Sequence, residues 1–584
     1  MNREIYIKGI ASLLFAGAVA LFFGVSYPHH LHYQEQLQLF LLTPEYGMEK
    51  VAHPGGIAEY IGEFLTQFYF QSGIGAGIIA ALLMATQLLV ARAGRDGGLA
   101  GWAYPLSFLP AIGLWAFLCD ENALPAFPVA VALTLTGWLG WRGLPRGTGQ
   151  VVGAALLTPL LYWIAGGACW LFALGTAAAL WRMAGKGLGQ RLWMGLVPLA
   201  VGALCPLIAR GFVQYPLESL FMGIDFYRFP GIYPATIPLT LLLAATLPLL
   251  PARLPWGGKS ERMGVALASI AVIGIGFGWI SRSADYAKEE IMRYDYLTRM
   301  KRWEEIIRMA ERKTPRSPLS VTCLNLALAK SGQLGDRMFH FFQNGTEGLI
   351  PAFQRDFTAP LPASEVFYHI GMINSAQRYT FEAMEAIPDF KKSGRAYLRL
   401  AETNLINGEY AVAAKYLRAL RHTLFYRRWA EQRLAMLHDE ASVNAHPEYG
   451  ALRRMRYEED FLFSDTEMES MLGLLLKRNP KNRLAFEYLL AHALQRKDLE
   501  RFMQYYPLGK EMGYDHIPLS YQEALVFVWT QRHPDFKGLP WSISRPVLEG
   551  VTEFARVYTT QRDAEPLLRP RFEKTFWYYL LFRK

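Results

Sequence analysis

The sequence predicts an all-α protein in two parts: a polytopic helical membrane domain over residues 1–282 and a soluble helical-repeat domain over 283–584. Three observations predict it. The first is a split in charge: residues 1–282 hold 16 Lys/Arg and 12 Asp/Glu, against 44 and 38 in 283–584. The second is a series of nine apolar windows in the first part, near 9–27, 65–91, 99–118, 124–141, 149–165, 167–182, 192–209, 237–252 and 263–281. Most are long enough for a bilayer-spanning helix. The third is the three- and four-residue apolar spacing that runs through the second part. A chain of 584 residues is in any case expected to hold at least two domains.

Taken in order, the first window reads as a span and not as a cleaved signal peptide. Tyr27-Pro28-His29 offers no small-residue cleavage site, and further windows follow. The short windows near 149–182 would turn as one hairpin through Ala165-Gly166-Gly167. With the N-terminus inside, the inner loops carry Arg3, Lys8, Arg92, Arg95, Arg142, Arg146, Arg182, Lys186, Arg191, Arg253, Lys259 and Arg262. The outer ones before the tail carry only Lys50, Arg210, Arg228 and Arg282. This imbalance is the one the positive-inside rule demands. It places the long loop 28–64, the Asp120-Glu121 turn, the 210–236 loop and the whole of 283–584 outside, in the periplasm of a bacterial inner membrane. Nine of the twelve acids of the first part also fall outside: Glu35, Glu45, Glu49, Glu59, Glu63, Asp120, Glu121, Glu218 and Asp225. Insertion does not require that asymmetry, since acids contribute little to topology.

In the second part, DYAKEEIMRYDYLTRMKRWEEIIRMAERK is a long amphipathic run, and YLRLAETNLINGEYAVAAKYLRALRHT reads as helix–turn–helix with Asn407-Gly408 at the turn. Similar units occur at VTCLNLALAKSGQLGDRMFHFF and FEYLLAHALQRKDLERFMQYY, with Pro- and Gly-rich connectors at 345–363 and 533–547. The units resemble tetratricopeptide repeats, and that resemblance implies a solenoid with a concave binding face.

Composition excludes some partners. The net charge of +10 is spread over both parts with no Lys/Arg run, so no nucleic-acid groove is expected. Cys119, Cys169, Cys205 and Cys323 lie too far apart for a metal or disulfide framework and read as packing residues.

The chemistry is expected in the stretch 28–67. Glu35, in HYQEQLQLF, would lie on a short amphipathic helix just past the first span, with Asp120-Glu121-Asn122 opening the next outer loop. Two acidic sites at the outer ends of neighbouring spans can converge to give a base and an orienting or metal-binding group. In His53-Pro54-Gly55-Gly56 the proline fixes one dihedral and the glycines permit positive φ, so the chain can turn sharply into a helix. That helix would carry Glu59, Glu63 and Gln67 as a polar stripe at four-residue spacing. The spacing of His29, His30 and His32 matches no established zinc pattern. Arg210 and Arg228, among aromatic residues, would suit a lipid-linked phosphate or, more plainly, an interfacial aromatic belt.

The order of first span, acidic outer loop, His-Pro-Gly-Gly turn and second span resembles the GT-C class of integral membrane glycosyltransferases, over about the first 125 residues. Gly55 stands where that class has a second Pro, and no Tyr-Pro follows. The resemblance implies transfer of a sugar or oligosaccharide from a polyprenyl-phosphate-linked donor to an extracytoplasmic acceptor, a protein or glycan held by the helical tail. It implies a catalytic role for Glu35, with His53 at the turn and Asp120 or Glu121 as the second acid; beside it, Arg210, Arg228, Glu59, Glu63 and Tyr33 are expected to contact substrate. No motif specifies a cofactor; the acids would suit a divalent cation. The chain also resembles a family of multi-pass bacterial membrane proteins with helical tails. A non-enzymatic membrane-anchored scaffold for envelope protein assembly is the alternative expectation. A transporter is third, because the apolar windows hold almost no ionisable residue.

Overall fold

The computed structural model describes residues 2–94, 99, 101–184, 187–250, 258–352, 354, 356–459 and 467–583. Of the inner-loop cations named above, Arg95, Lys186 and Arg253 lie outside the described residues. The described residues are helical throughout, with no strand beyond one isolated antiparallel bridge, Ala123 to Tyr227. They divide into two compact units. One is Met1–Glu289 together with Pro388–Gly394 and His422–Arg427; the other is Glu290–Ile387, Arg395–Arg421 and Arg428–Lys584.

Among the described residues, six helices of the first unit are long and apolar enough to cross a membrane: Tyr6–Ser26, Ser72–Ala93, Gly101–Leu118, Thr148–Met183, Leu188–Ala209 and Arg262–Ser283. Thr148–Met183 is interrupted at Gly166, whose φ is +56°. Ala126–Arg142, at 17 residues, and the apolar Thr236–Leu249 are shorter. Large apolar side chains such as Leu14, Ile270, Ile273 and Phe277 point outward on these helices. Such a surface suits hydrocarbon and not water. The unit's interior is aromatic and small-residue packing, with Trp138, Trp141, Phe127 and Phe172 buried among alanines.

The stretch 28–70 is folded, not a solvated loop. Pro28–Gln36 is a helix whose first backbone N–H groups, at His29 and His30, donate to the Glu289 carboxylate at 2.8 and 2.9 Å. That is anion capping of a helix N-terminus. Pro44–Val51 is capped by the Thr43 hydroxyl, and Gly56–Thr66 follows the His-Pro-Gly-Gly turn. The amphipathic helix expected to run past Glu35 ends at Gln36, and His30 through Leu37 are all buried. Glu59 and Glu63 lie on Gly56–Thr66, a short helix separate from the spanning helix that starts at Ser72.

The two tail segments in this unit are stitched to that stretch by backbone bonds. The Gly394 N–H donates to Gln38 O at 3.0 Å and the Leu42 N–H to His422 O at 2.8 Å. Phe425 stacks on Phe70, with ring centroids 5.1 Å apart.

In the second unit short helices follow one another in packed pairs, such as Pro360–Ile370 with Ile373–Glu385 and Met468–Arg478 with Arg483–Gln495. Tight turns separate them, with φ of +101° at Gly371 and +83° at Gly408. The long amphipathic run is two helices, Tyr286–Arg299 and Trp303–Arg312, because the chain turns at Lys301 with φ +57°. A buried ionic chain lies between the helices. Arg395 reaches both carboxylate oxygens of Asp295, and Arg399 joins Glu365 to Glu402.

Candidate functional site

The densest chemistry is a buried ionic cluster in the first unit, assembled from three remote stretches of chain. The first is the turn into Gly56–Thr66. Gly55 has φ +85°, open to glycine at little cost, and a Cβ on Gly56 would fall 1.6 Å from the Lys50 carbonyl oxygen. This turn folds Pro44–Val51 back beside Gly56–Thr66, so Lys50 Nζ lies 2.5 Å from Glu59 Oε1 and 3.1 Å from Glu63 Oε1. Tyr46 donates its hydroxyl to Glu63 Oε2 at 2.5 Å, and His53 Nε2 lies 3.1 Å from Glu59 Oε2.

The second stretch, around 225–228, is held by antiparallel pairing with 122–124. The Leu124 N–H donates to Phe226 O at 3.0 Å and the Arg228 N–H to Asn122 O at 2.8 Å. This brings in Asp225 and Arg228, both buried. The third is the tail segment 388–394. Its Lys391 Nζ lies 2.8 Å from Asp225 Oδ1, 3.1 Å from Glu59 Oε1 and 3.7 Å from Glu63 Oε1.

Burial and neighbouring charge set the protonation of this cluster. Burial pushes Asp225 and Glu63 up, with Glu59 adding repulsion, against the pull of the lysines. Burial also opposes the Glu59 charge. Lys391, the His53 hydrogen bond and Lys50 outweigh it and hold Glu59 well below the usual carboxylate range. Lys391 is buried too, yet Asp225, Glu59 and Glu63 raise it well above an ordinary lysine, so it sits there as an ammonium. The cluster lines a cavity of about 20 Å³, shared with Leu37, Gln38, Leu124 and Arg228. That is room for about one water. His53, Glu59 and Asp225 offer ligand atoms that all lie within 4.8 Å of one another, the one such metal-competent group among the described residues.

Of the residues singled out from sequence, His53, Glu59, Glu63 and Arg228 therefore meet. Glu35 lies apart, 5 % exposed, in an adjoining cavity that shares Gln38 and is lined by Gln67, Thr423, Phe425 and Tyr426. Tyr33 is buried on the Glu35 helix. The Asp120 carboxylate accepts from the Asn122 N–H at 2.8 Å and the Tyr227 hydroxyl at 3.0 Å, and Glu121 pairs with Lys288 at 2.6 Å. Neither Asp120 nor Glu121 lines the cavity beside Glu35. Arg210 is exposed at the end of Leu188–Ala209. His30 is buried beside Tyr27, its rings 4.9 Å apart, and burial pushes it down to about 3, which keeps it neutral.

The residues missed were Lys50, Asp225, Lys391 and Tyr426. Asp225 was visible as one of the outer acids. Lys391, in DFKKSG, carries no local signal at all.

The sequence matches a family of unknown function, DUF6057, over residues 4–583. The chain belongs to that family. Comparison with curated proteins and with solved structures gives no match. The match spans both compact units of this DUF6057 chain, so the tail segments that complete the cluster fall within the family's extent.

Proposed function

We propose that the chain is a multi-pass bacterial inner-membrane glycosyltransferase of GT-C type. It transfers a sugar or oligosaccharide from a polyprenyl-phosphate-linked donor to an extracytoplasmic acceptor. In this reading the N-terminus is cytoplasmic, about nine segments span, and residues from about 283 form a periplasmic solenoid of tetratricopeptide-like pairs that recruits the acceptor. One observation carries it: acids of the first and fourth outer stretches, Glu59, Glu63 and Asp225, meet Lys50, Lys391 and Arg228 in one buried place.

Transfer from a lipid phosphate needs a base for the acceptor hydroxyl and cations for the leaving phosphate. A carboxyl raised by burial, such as Asp225, suits the first role. Lys50 and Arg228 suit the second. The centre is thus Glu59–Asp225, with Glu35 beside it. A cavity of about 20 Å³ admits no sugar, so turnover includes withdrawal of Lys391.

The test is sugar transfer into envelope material by membranes carrying the wild type, Asp225→Asn or Glu35→Gln. Loss with Asp225→Asn at equal protein level supports the assignment. Full activity in both variants removes the enzyme reading.

A second reading is favoured by the same cluster's saturation with cations: a scaffold whose membrane unit is an anchor and whose ion pairs only hold the fold. A scaffold would then keep its function in the folded Asp225→Asn chain, whereas an enzyme loses transfer.

A further inference from the structure

The geometry at His53 leaves a place for a cation beside Glu59. Its Nδ1 lies 3.3 Å from the Pro54 carbonyl oxygen. A carbonyl oxygen only accepts, so Nδ1 carries the hydrogen. Nε2 then faces Glu59 Oε2 at 3.1 Å. Glu59 Oε2 is buried, and a cation shared with Nε2 would satisfy both atoms at once. On the other side of the same carboxylate, the Lys391 ammonium bridges Glu59 Oε1 and Asp225 Oδ1. The three potential ligands, one imidazole nitrogen and two carboxylates, are grouped within 4.8 Å. A tetrahedral ion with ligands at about 2.0–2.2 Å needs donor atoms about 3.3–3.6 Å apart, so the widest separation would close by about 1 Å.

We propose that His53, Glu59 and Asp225 form a divalent-metal site, occupied here by the side chain of Lys391 as a tethered cation that yields when the metal binds. One nitrogen with two carboxylate oxygens suits Mn²⁺ or Zn²⁺ better than the all-oxygen preference of Ca²⁺ or Mg²⁺. Charge favours the exchange. A divalent ion replaces the ammonium beside Glu59 and Asp225, so the buried carboxylates stay neutralised throughout.

The segment that delivers Lys391 is anchored at Gly394, whose N–H donates to Gln38 O, and strained just before the lysine. Asp389 and Phe390 are consecutive non-glycine residues in the left-handed region, with φ of +57° and +54°. The Phe390 side chain is 89 % exposed, so no packing holds it in place. Nothing in this depends on which reaction the membrane unit performs.

The test uses the full chain purified in detergent, with MnCl₂ and ZnCl₂ as probes and equilibrium dialysis with elemental analysis as the readout. The wild type is expected to bind one ion, and Lys391→Met, which removes the competing ammonium, to bind it at least about tenfold more tightly. His53→Ala and Asp225→Asn are expected to lose it. Equal affinity in Lys391→Met, or undiminished binding in both ligand variants, overturns the site. If a variant fails to fold, the wild type alone decides the matter. An amine-reactive reagent followed by peptide mass spectrometry should label Lys391 only when metal is present. Labelling of Lys391 that metal does not change overturns the exchange.

Discussion

Tyr426 donates its phenolic hydroxyl to Glu35 Oε1 at 2.6 Å. The bond ties a tail segment to the helix that follows the first long apolar helix. It also separates two roles for Glu35. Glu35→Gln keeps the shape and an acceptor oxygen, so the thermal midpoint of the detergent-solubilised protein should fall little. Tyr426→Phe deletes the donor to a buried charged group and should cost about 1.5–3 kcal/mol. If the Glu35 charge takes part in the chemistry, Glu35→Gln loses transfer while Tyr426→Phe loses mainly stability. If Glu35 only holds the fold, the two variants rank by stability alone.

Lys391 serves three carboxylates, so removing it should be more damaging than removing one of them. Lys391→Met leaves Asp225 without its 2.8 Å lysine partner, while Lys50 stays on Glu59 and Glu63. Breaking a buried pair from one side costs about 3–5 kcal/mol. Adding Asp225→Asn to Lys391→Met should recover a substantial part of that loss, since the double variant removes one charge of each sign. A denaturation series on the four proteins measures the coupling. Additive losses would mean that the two groups do not act on each other.

How far the sequence revealed this site depends on distance along the chain. Glu59 and Glu63 share a face because they are four residues apart on a helix, and the Gly55 turn was visible in the tetrapeptide that contains it. The helical character of both parts followed from spacing and composition. Glu35 and Asp120 were expected to meet as acids. Their stretches do meet, but at Gln34, whose side-chain amide donates to the backbone oxygen of Ala123 at 2.9 Å. Asp120 turns instead to Tyr227, on a loop that pairs with its own. No local pattern encodes such pairing. Lys391 illustrates the limit: its role comes entirely from a backbone segment more than three hundred residues from Glu59.

Arg399 makes an ordinarily conservative change informative. Its guanidinium bonds Glu365 and Glu402 and lies 3.7 Å over the Tyr368 ring. A lysine at this position could keep the charge but not the planar fork or the stacking. Arg399→Lys is therefore expected to destabilise the second unit by about 2 kcal/mol. The loss should be much larger than for Arg545→Lys, whose pair with Glu549 is exposed. Equal effects at the two sites, measured by chemical denaturation of the full chain, would remove the distinction.

Glu523 gives the second unit a stability that falls as pH rises. It is buried, and burial raises its carboxyl from 4.5 to about 8, against the hydrogen bond it accepts from the Phe576 N–H at 2.7 Å. In the unfolded chain the group titrates near its ordinary value. Between those two values the folded state keeps a proton that the unfolded state has lost, so each step upward in pH favours unfolding. The stabilisation is complete below about 4.5 and is lost progressively as the pH rises to about 8, beyond which this group adds no further slope. Glu523→Gln keeps the acceptor for Phe576 without the titration. The variant should match the wild type near pH 5 and exceed it in thermal midpoint by a growing margin up to pH 8, then by a constant one. The Phe576–Phe582 helix should register the difference first, because its N-terminal N–H is the group that Glu523 holds. Amide exchange at Phe576 through Tyr578 across that pH range, corrected for intrinsic rates, reads it directly. A wild type and variant whose midpoints run parallel from pH 5 to 9 would show that Glu523 does not carry this proton.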